Sequence, residues 1–258
     1  MVITRTLCLV ALALITSAAV INVRSVPAKP KTKMPLLMFD CLEMPEVCTN
    51  MCYGVNCLRY DSAMYWDKKT YGKTDDAKTE GRLRGTEAGC VRSGGNRCNP
   101  KNSGITGQQC DEFPFKSVAP LSTPFNRCVP AGQNNKQGQR LKDFYHYLED
   151  GLKKQESWFQ IGFQNFKGLK YCDRSTGCKN DGNEMFKKDQ PAKRDLAAVG
   201  QTDKHQYYLT KRGANLFIPN GAEIGDVVYS PRSVDSNDEM KVHVDEIVAH
   251  ANASSIEL

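Results

Sequence analysis

Cysteine content is the feature that most restricts what this chain can fold into. Eleven cysteines occur in 258 residues, and Cys8 lies in an apolar N-terminal run. The remaining even number is typical of a disulfide framework in an exported protein. We therefore expect disulfides at Cys41, Cys48, Cys52, Cys57, Cys90, Cys98, Cys110, Cys128, Cys172 and Cys178. A metal cluster at 41–57 is the alternative, but its spacing does not fit a zinc ribbon. The pairing stays open, because spacing alone does not determine it.

Residues 1–19 have the layout of a secretory signal peptide. Arg5 precedes an apolar run, small residues follow, and cleavage after Ala19 fits this arrangement. Residues 20–35 are rich in Pro and Lys, which predicts a flexible leader. No later stretch is apolar over the ~20 residues that a membrane span needs. We therefore expect a secreted, extracellular protein that stays off the membrane once the signal is removed.

Short strand-like and helix-like segments follow one another in the rest of the chain, which predicts the α+β fold class. Strands are predicted at 36–39, 56–61, 157–166 and 240–248, and helices at 44–54 and 137–152. Asn220-Gly221 predicts a hairpin, although Pro219 weakens that signal. The segment 67–89 is polar with no clear period, and residues 173–205 have the composition of a loop or linker.

Polar motifs precede the predicted helix at 137–152. They are CDEFPF (Cys110–Phe115), RCVP (Arg127–Pro130), QNNKQG (Gln133–Gly138) and LKDFY (Leu141–Tyr145). Acid groups are costly to bury beside aromatic rings without partners. A carboxylate beside Phe113 and Phe115 would therefore have a raised pKa, which suits proton abstraction near neutral pH.

In this order the motifs resemble the deoxyribonuclease NucA/NucB family. FDC with PEVCTNMCYG (Phe39–Gly54) and a closing KYC at Cys172 resemble its fungal secreted branch. The resemblance covers about residues 36–172 and implies a ββα-metal-type nuclease core. It also implies one divalent cation, Mg²⁺ or Mn²⁺, and cleavage of DNA without sequence specificity. Residues 173–258 match nothing and are predicted to be a β-rich C-terminal extension.

The resemblance implies that Asp111 replaces the histidine base of related nucleases. Phosphodiester hydrolysis needs a deprotonated water, a cation and a protonated leaving oxygen. His146, the one histidine within 36–172, has no motif around it. Asn134 matches the family's N-x-x-x-G asparagine near the metal. The predicted catalytic residues are Asp111, Glu112 and Asn134, and the predicted metal ligands are Asn134, Gln137 and Asp143.

Structural roles compete with several of these assignments. Asp111 could cap a turn, Glu112 could pair with Arg82 or Arg84, and Asn134 could cap a helix. The predicted phosphate contacts are Arg127, Lys136 and Arg140, with Lys101 and Lys116 as further candidates. Arg140 also stands where bacterial members offer an acidic or amide side chain, so Asp143 is a substitute ligand.

Three readings of the activity remain open. The first is a DNA-cleaving nuclease, for which the net charge of +6 at pH 7 is compatible with a polyanionic substrate. The second is an inactive secreted binding or effector protein on the same scaffold, and the third is an RNA-cleaving nuclease. We expect a monomer, with Asn252 in a glycosylation sequon.

Overall fold

The computed structural model describes residues 26–31, 33–68, 75–146, 151–172, 177–193, 206–231 and 242–251. The predicted signal peptide, residues 20–25 and 32 of the predicted leader, and the Asn252 sequon lie outside these residues. Within the described ranges, none of the helices has the length and apolar content needed to cross a bilayer.

Helices and strands are mixed along the chain, which confirms the α+β class. The helices in the described part are α1 (Pro45–Cys52), α2 (Asp75–Glu87), α3 (Pro100–Ser103) and α4 (Ala131–His146). The strands are β1 (Leu36–Asp40), β2 (Ala63–Tyr65), β3 (Gln108–Phe113), β4 (Phe125–Pro130), β5 (Trp158–Gln164), β6 (Met185–Phe186), β7 (Gln190–Pro191), β8 (Gln206–Thr210), β9 (Asn215–Ile218), β10 (Val227–Pro231) and β11 (Val242–Ala251).

The larger sheet closes on itself. Its order is β1-β10-β11-β8-β9-β5, and β5 pairs back onto β1 in parallel, while β2 adds to β5. Strands β8 to β11 all follow Cys172, so the predicted C-terminal extension is β-rich and contributes strands to the same sheet as β1 and β5. The domain boundary itself stays a prediction.

Two apolar cores lie on opposite sides of β1, because side chains alternate across a strand. Leu36 and Met38 belong to a small cluster that also contains residues of β8 to β11. Leu37 and Phe39 belong to the large cluster, which is rich in aromatic residues and includes α1, α4 and β5. Strands β8 to β11 therefore cover Leu36 and Met38 on one face of β1.

A smaller sheet of order β3-β4-β6-β7 carries the predicted acidic pair. Strands β3 and β4 are antiparallel, with Asp111 opposite Arg127 and Phe113 opposite Phe125. Helix α4 begins at Ala131, directly after β4 ends at Pro130. The CDEFPF strand and the QNNKQG helix are therefore neighbours in space.

All ten predicted cysteines are paired, which confirms the disulfide framework and excludes a metal cluster at 41–57. The pairs are Cys41–Cys48, Cys52–Cys172, Cys57–Cys178, Cys90–Cys110 and Cys98–Cys128. Cys110 and Cys128 face each other across β3 and β4, but each bonds to a loop residue instead. Two of these pairs join Cys52 of α1, and Cys57 shortly after it, to Cys172 and Cys178.

The predicted strand at 56–61 is wrong. A wide helical turn, Tyr53–Cys57, continues directly from α1. Gly54 was expected to end the helix, but it is buried within this turn beside the Phe113 ring. The apolar residues of the segment face the large core in a helical rather than an extended conformation.

Two other boundaries differ from the predictions. Helix α4 begins at Ala131 rather than Gln137, because its first turn packs on α1. In this contact the backbone N–H of Glu46 donates to Gln133 Oε1 at 2.9 Å. Asn220 and Gly221 form a turn, but β9 pairs with β8 and β5 rather than with β10, so the predicted hairpin is wrong. Residues 173–205 include the short β6 and β7 rather than loop alone.

Gly54→Ala should destabilise the protein by about 1–3 kcal/mol, because a Cβ there would lie 2.4 Å from two ring carbons of the buried Phe113. Thermal unfolding would measure this loss. Gly132→Ala is the matched control, since nothing lies within 4 Å of a Cβ at this exposed helical position. The control should be neutral or gain up to about 1 kcal/mol. Equal melting temperatures for both variants would contradict the close packing of Gly54.

Candidate active site

A cavity of about 500 Å³ lies between β3 and α4. Its polar lining comes from both predicted motifs and from the segment after β3. The side chains that matter for chemistry are Asp111, Glu112, Lys116, Asn134, Asn135 and Gln137. The fold therefore brings the predicted catalytic residues Asp111, Glu112 and Asn134 together at one opening.

Asp111 is nearly inaccessible, with 2% of its surface exposed. The fully buried Asn50 of α1 donates from Nδ2 to Asp111 Oδ2 at 3.0 Å and to the Asp111 carbonyl oxygen at 3.1 Å. Burial raises the pKa of Asp111 to about 8, and the hydrogen bond from Asn50 partly opposes that rise. Asp111 is therefore a carboxyl group that can exchange a proton near neutral pH, rather than a turn cap.

Glu112 also lines the cavity, and burial raises its pKa, which Lys116 partly offsets. The Lys116 ammonium lies 4.0 Å from Glu112 Oε1. The alternative pairing with Arg82 or Arg84 is wrong, since Arg84 pairs with Asp67 at 2.7 Å and Arg82 lines a different cavity. Lys116 is the cation at this opening, and its ammonium stays largely exposed.

One face of α4 closes the cavity. Asn134, Gln137, Gly138 and Leu141 lie on it, because residues three and four apart stack along a helix. Asn134 Nδ2 donates to Gln109 Oε1 of β3 at 2.9 Å, so its amide bridges strand and helix instead of capping a helix end. Gln137 is buried, and a hydrogen-bonding interaction of its side chain with Asp111 lowers the pKa of that carboxyl group. Its Nε2 has no other hydrogen-bond partner among the described residues, so a ligand or solvent in the cavity would complete its bonding.

The predicted ligand Asp143 is not in this cavity. At about 3.6 residues per turn, it falls roughly opposite Asn134 around α4. Asp143 is buried, and its Oδ1 accepts from Gln139 Nε2 at 2.8 Å. The structure therefore does not bring Asp143 together with Asn134 and Gln137.

The three predicted phosphate contacts lie in different surroundings. Arg127 is buried among the carboxylates of Glu46, Glu184 and Asp181. Arg140 is buried and paired with Glu43, and burial lowers its pKa. Lys136 is exposed on α4 but does not line the cavity. These positions favour structural roles for both arginines over phosphate contact.

The donor chemistry of the cavity fits a hard divalent cation. Mg²⁺ prefers oxygen ligands and keeps several waters, so it needs only one or two protein oxygens. Glu112, Asn134 and Gln137 offer carboxylate and amide oxygens at the same opening as Asp111. Among the described residues, no group of three His, Cys, Asp or Glu side chains could hold a metal, so a closed all-protein site is not the type that fits here.

Asn50 is the site residue that the sequence analysis missed. It lies 61 positions before Asp111 and belongs to no recognised motif. The available sequence signal was an asparagine between the apolar residues Val47, Met51 and Cys52 of a predicted helix, a segment that the structure buries. A fully buried amide needs a hydrogen-bond partner, and here the partner is the carboxyl group at the centre of the cavity.

His146 is outside the site, as its lack of a motif indicated. Its ring packs edge-on against Trp66 with centroids 5.3 Å apart, and burial lowers its pKa. None of the described residues that line the Asp111 cavity is a histidine. The cavity therefore offers carboxylates rather than an imidazole as proton acceptor.

One comparison with known proteins gives a match. Residues 51–155 match the family model of deoxyribonuclease NucA/NucB. The matched segment contains Asp111, Glu112, Asn134 and Gln137, whereas Asn50 lies just before it. No curated protein and no solved structure matches the chain.

Proposed function

We infer that this chain, whose residues 51–155 belong to the deoxyribonuclease NucA/NucB family, is a nuclease that hydrolyses DNA phosphodiester bonds. We place the reaction in the cavity between β3 and α4, on a ββα-metal-type arrangement of β3, β4 and α4. Asp111 is the general base in this proposal. The observation that carries it is the burial of Asp111 at the floor of an open polar cavity, with a pKa of about 8.

The protein's own groups have separable tasks. Ionised Asp111 accepts a proton from the attacking water, and Asn50 holds its Oδ2 in a fixed orientation. Lys116 supplies positive charge at the opening, where a phosphate oxygen would lie. Its ammonium also keeps Glu112, which has a raised pKa, closer to the ionised form.

A single divalent cation, Mg²⁺ or Mn²⁺, completes the proposal. Asn134, Glu112 and Gln137 are the residues that would hold it, with water filling its other positions. When bound, such an ion takes up negative charge that develops on the phosphate. Asp143 is not part of this proposed shell, because it does not line the cavity.

We further propose that the protein acts outside the cell as a monomer. The five disulfides support the extracellular location, since disulfides persist mainly in oxidising compartments. DNA is the proposed substrate because of the family match, with RNA and an inactive binding role as the competing readings. The buried carboxyl group favours an active site over a degraded one, since a binding surface gains nothing from a desolvated acid.

Incubation of the purified protein with supercoiled plasmid tests the function directly. We expect nicked and then linear DNA with Mg²⁺ or Mn²⁺, and loss of cleavage with excess chelator. A structured RNA in parallel reactions decides between the two nucleic acids. Intact plasmid with every divalent cation tried would overturn the nuclease proposal and leave the binding alternative.

Activity should rise as the pH increases from 5 toward 8. Asp111 has a folded-state pKa above its ordinary value of 3.8, so the protonated, inactive form persists to about pH 8 and the base appears as pH rises. The rising part of the rate–pH profile is called the limb below. A bound cation would move the midpoint of this limb to lower pH. Initial nicking rates against pH, at fixed ionic strength and saturating metal, measure the limb.

Asn50→Ala tests the origin of that limb. Removing the donor to Asp111 Oδ2 should raise the pKa further and move the limb to higher pH. Asn56→Ala is the matched control, because this buried amide donates to the Tyr171 carbonyl oxygen instead. An unchanged limb in Asn50→Ala, or the same displacement in both variants, would mean that the limb does not report Asp111.

A further inference from the structure

A second cavity, of about 480 Å³, opens where the loop after α2 meets the turn after β6. Its polar lining consists of four cationic side chains and two hydroxyl groups: Arg82, Arg92, Lys187, Lys188, Thr86 and Ser93. None of the described residues that line it is acidic. Asp189, just outside the lining, neutralises Arg92, and the other three cations leave the cavity net positive. A concave positive surface raises the local concentration of anions, so the ligand class that fits is a phosphate-bearing polyanion.

Arg92 organises this basic cavity rather than serving as a free cation. Its guanidinium donates to both carboxylate oxygens of Asp189, at 2.6 and 2.8 Å. Asp189 directly follows Lys187 and Lys188 in the turn between β6 and β7. The bidentate pair therefore fixes that turn against the loop after α2 and keeps both lysines at the cavity. Arg82, Lys187 and Lys188 remain exposed and available to a ligand.

The backbone of the same turn is held in a conformation that non-glycine residues rarely adopt. Lys188 and Asp189 have φ angles of 67° and 57°, both in the left-handed region. Such residues persist where the surroundings determine them, and they concentrate at binding sites. Here the surroundings are the β6–β7 pairing and the Arg92–Asp189 ion pair.

A disulfide joins the basic cavity to the proposed active site. Cys110 lines the Asp111 cavity and bonds to Cys90, which directly precedes Val91 and Arg92, both lining residues of the basic cavity. The Cα atoms of the two cysteines are 5.5 Å apart. With about 3.8 Å per neighbouring Cα step, Val91 lies within about 13 Å of Asp111. A DNA strand advances about 3.4 Å per phosphate along the duplex axis, so this upper bound corresponds to at most about four nucleotides.

We propose that the basic cavity binds backbone phosphates of the DNA strand a few nucleotides from the bond that is cut. This inference rests on the proposed function, because DNA is the ligand that the nearby site would hold. It assigns phosphate contact to Arg82, Lys187 and Lys188, in place of the buried Arg127 and Arg140. Lys187 and Lys188 lie beyond the family match, so this region after Cys172 extends the substrate path.

The test measures DNA binding separately from cleavage. All proteins carry Asp111→Asn, so that a fluorescent 20-base-pair duplex stays intact, and anisotropy gives the affinity over a series of salt concentrations. K187Q/K188Q keeps side-chain length and removes two charges at the cavity. K153Q/K211Q is the matched control, since both lysines are exposed and neither lines this cavity.

We expect K187Q/K188Q to weaken binding and to lower the slope of log affinity against log salt by about 1–2, since each neutralised phosphate contributes about 0.9. The control should change the slope by less than half of that. Equal slopes for the two double variants would overturn the inference, because net charge alone would then explain the binding. Inorganic phosphate that displaces the duplex beyond the effect of equal ionic strength would overturn it too, in favour of a small-phosphate site.

These outcomes are separable from the proposed function. If the protein does not cut plasmid but K187Q/K188Q weakens salt-dependent binding, the basic cavity is still a DNA site and the nuclease proposal is wrong. If the protein cuts plasmid and K187Q/K188Q binds the duplex equally well, the nuclease proposal holds and the basic cavity is not a DNA site. Absence of any binding to the duplex would overturn the basic cavity as a DNA site, whereas the nuclease proposal would still be decided by plasmid cleavage.

Discussion

Asp111→Asn should reduce plasmid cleavage by about 10²–10⁴-fold, the usual contribution of a general base. Asparagine keeps the size of the side chain but cannot accept the proton from water. The remaining rate should lose the rising pH limb, because the group that titrates near pH 8 is gone. Single-turnover nicking rates from pH 5 to 9 measure both effects.

Asp143→Asn is the matched control for this substitution. It neutralises a buried carboxyl group on α4 that does not itself line the cavity, although its Oδ1 accepts from the lining residue Gln139. Its nicking rate should stay within a few-fold of the unmodified protein. Full activity in Asp111→Asn would remove the proposed base, whereas a large loss in Asp143→Asn would restore the ligand role implied by the resemblance.

The melting temperature of Asp111→Asn distinguishes loss of the base from simple unfolding. A carboxyl group whose folded-state pKa is raised stabilises the fold most below its unfolded pKa, and that contribution is lost as pH rises through the folded value. For Asp111 the window runs from about 4 to about 8. Asp111→Asn should therefore melt at or above the temperature of the unmodified protein at pH 8, while being inactive.

The main chemical feature of the site could be predicted from sequence because it is local. CDEFPF places a carboxylate beside two aromatic rings in five consecutive positions, and the helix that carries Asn134 and Gln137 follows in the chain. The β1 and β5 strands were predictable for the same reason, since their apolar runs are short and continuous. The ten cysteines indicated disulfides, but their pairing depends on which loops fold back onto β3 and β4.

The features that could not be predicted depend on contacts between distant segments. Nothing near Asn50 indicates that its amide meets Asp111, and the wide turn at Tyr53–Cys57 continues from α1 into residues 56 and 57, where a strand was predicted at 56–61. Arg127 and Arg140 looked like phosphate contacts because arginine in a polar motif is usually exposed. Their carboxylate partners come from residues 43–46 and 181–184, which only the folded chain brings to them.

Arg127→Met should destabilise the protein by about 3–5 kcal/mol, or lower its melting temperature by roughly 6–20 °C. Glu184 is completely buried, and Arg127 is the cation that bonds to its carboxylate. Removing one partner leaves the other charge buried and uncompensated. Arg127 also donates to Glu46 Oε2 at 2.9 and 2.6 Å, so the variant loses a tie between β4 and α1 as well.

The pH dependence of the stability lost in Arg127→Met identifies the cause of the loss. Burial raises the pKa of Glu184 to about 7, and Arg127 lowers it from a still higher value. In Arg127→Met the pKa should rise further, so Glu184 is neutral at pH 5 and the penalty is smallest there. Between pH 6 and 9 the cost should grow, because deprotonation then leaves a bare buried carboxylate. Thermal unfolding at pH 5 and pH 8 measures the difference.

Two further variants separate this structural role from phosphate binding. Arg127→Met/Glu184→Met should recover much of the stability, since a buried ion pair can often be replaced by apolar side chains at little cost. Lys136→Met, at an exposed position of α4, should stay within about 0.5 kcal/mol of the unmodified protein. If Arg127→Met instead kept full stability and lost DNA affinity, the guanidinium would be a substrate contact, and the buried cluster with Glu46 and Glu184 would not be its main role.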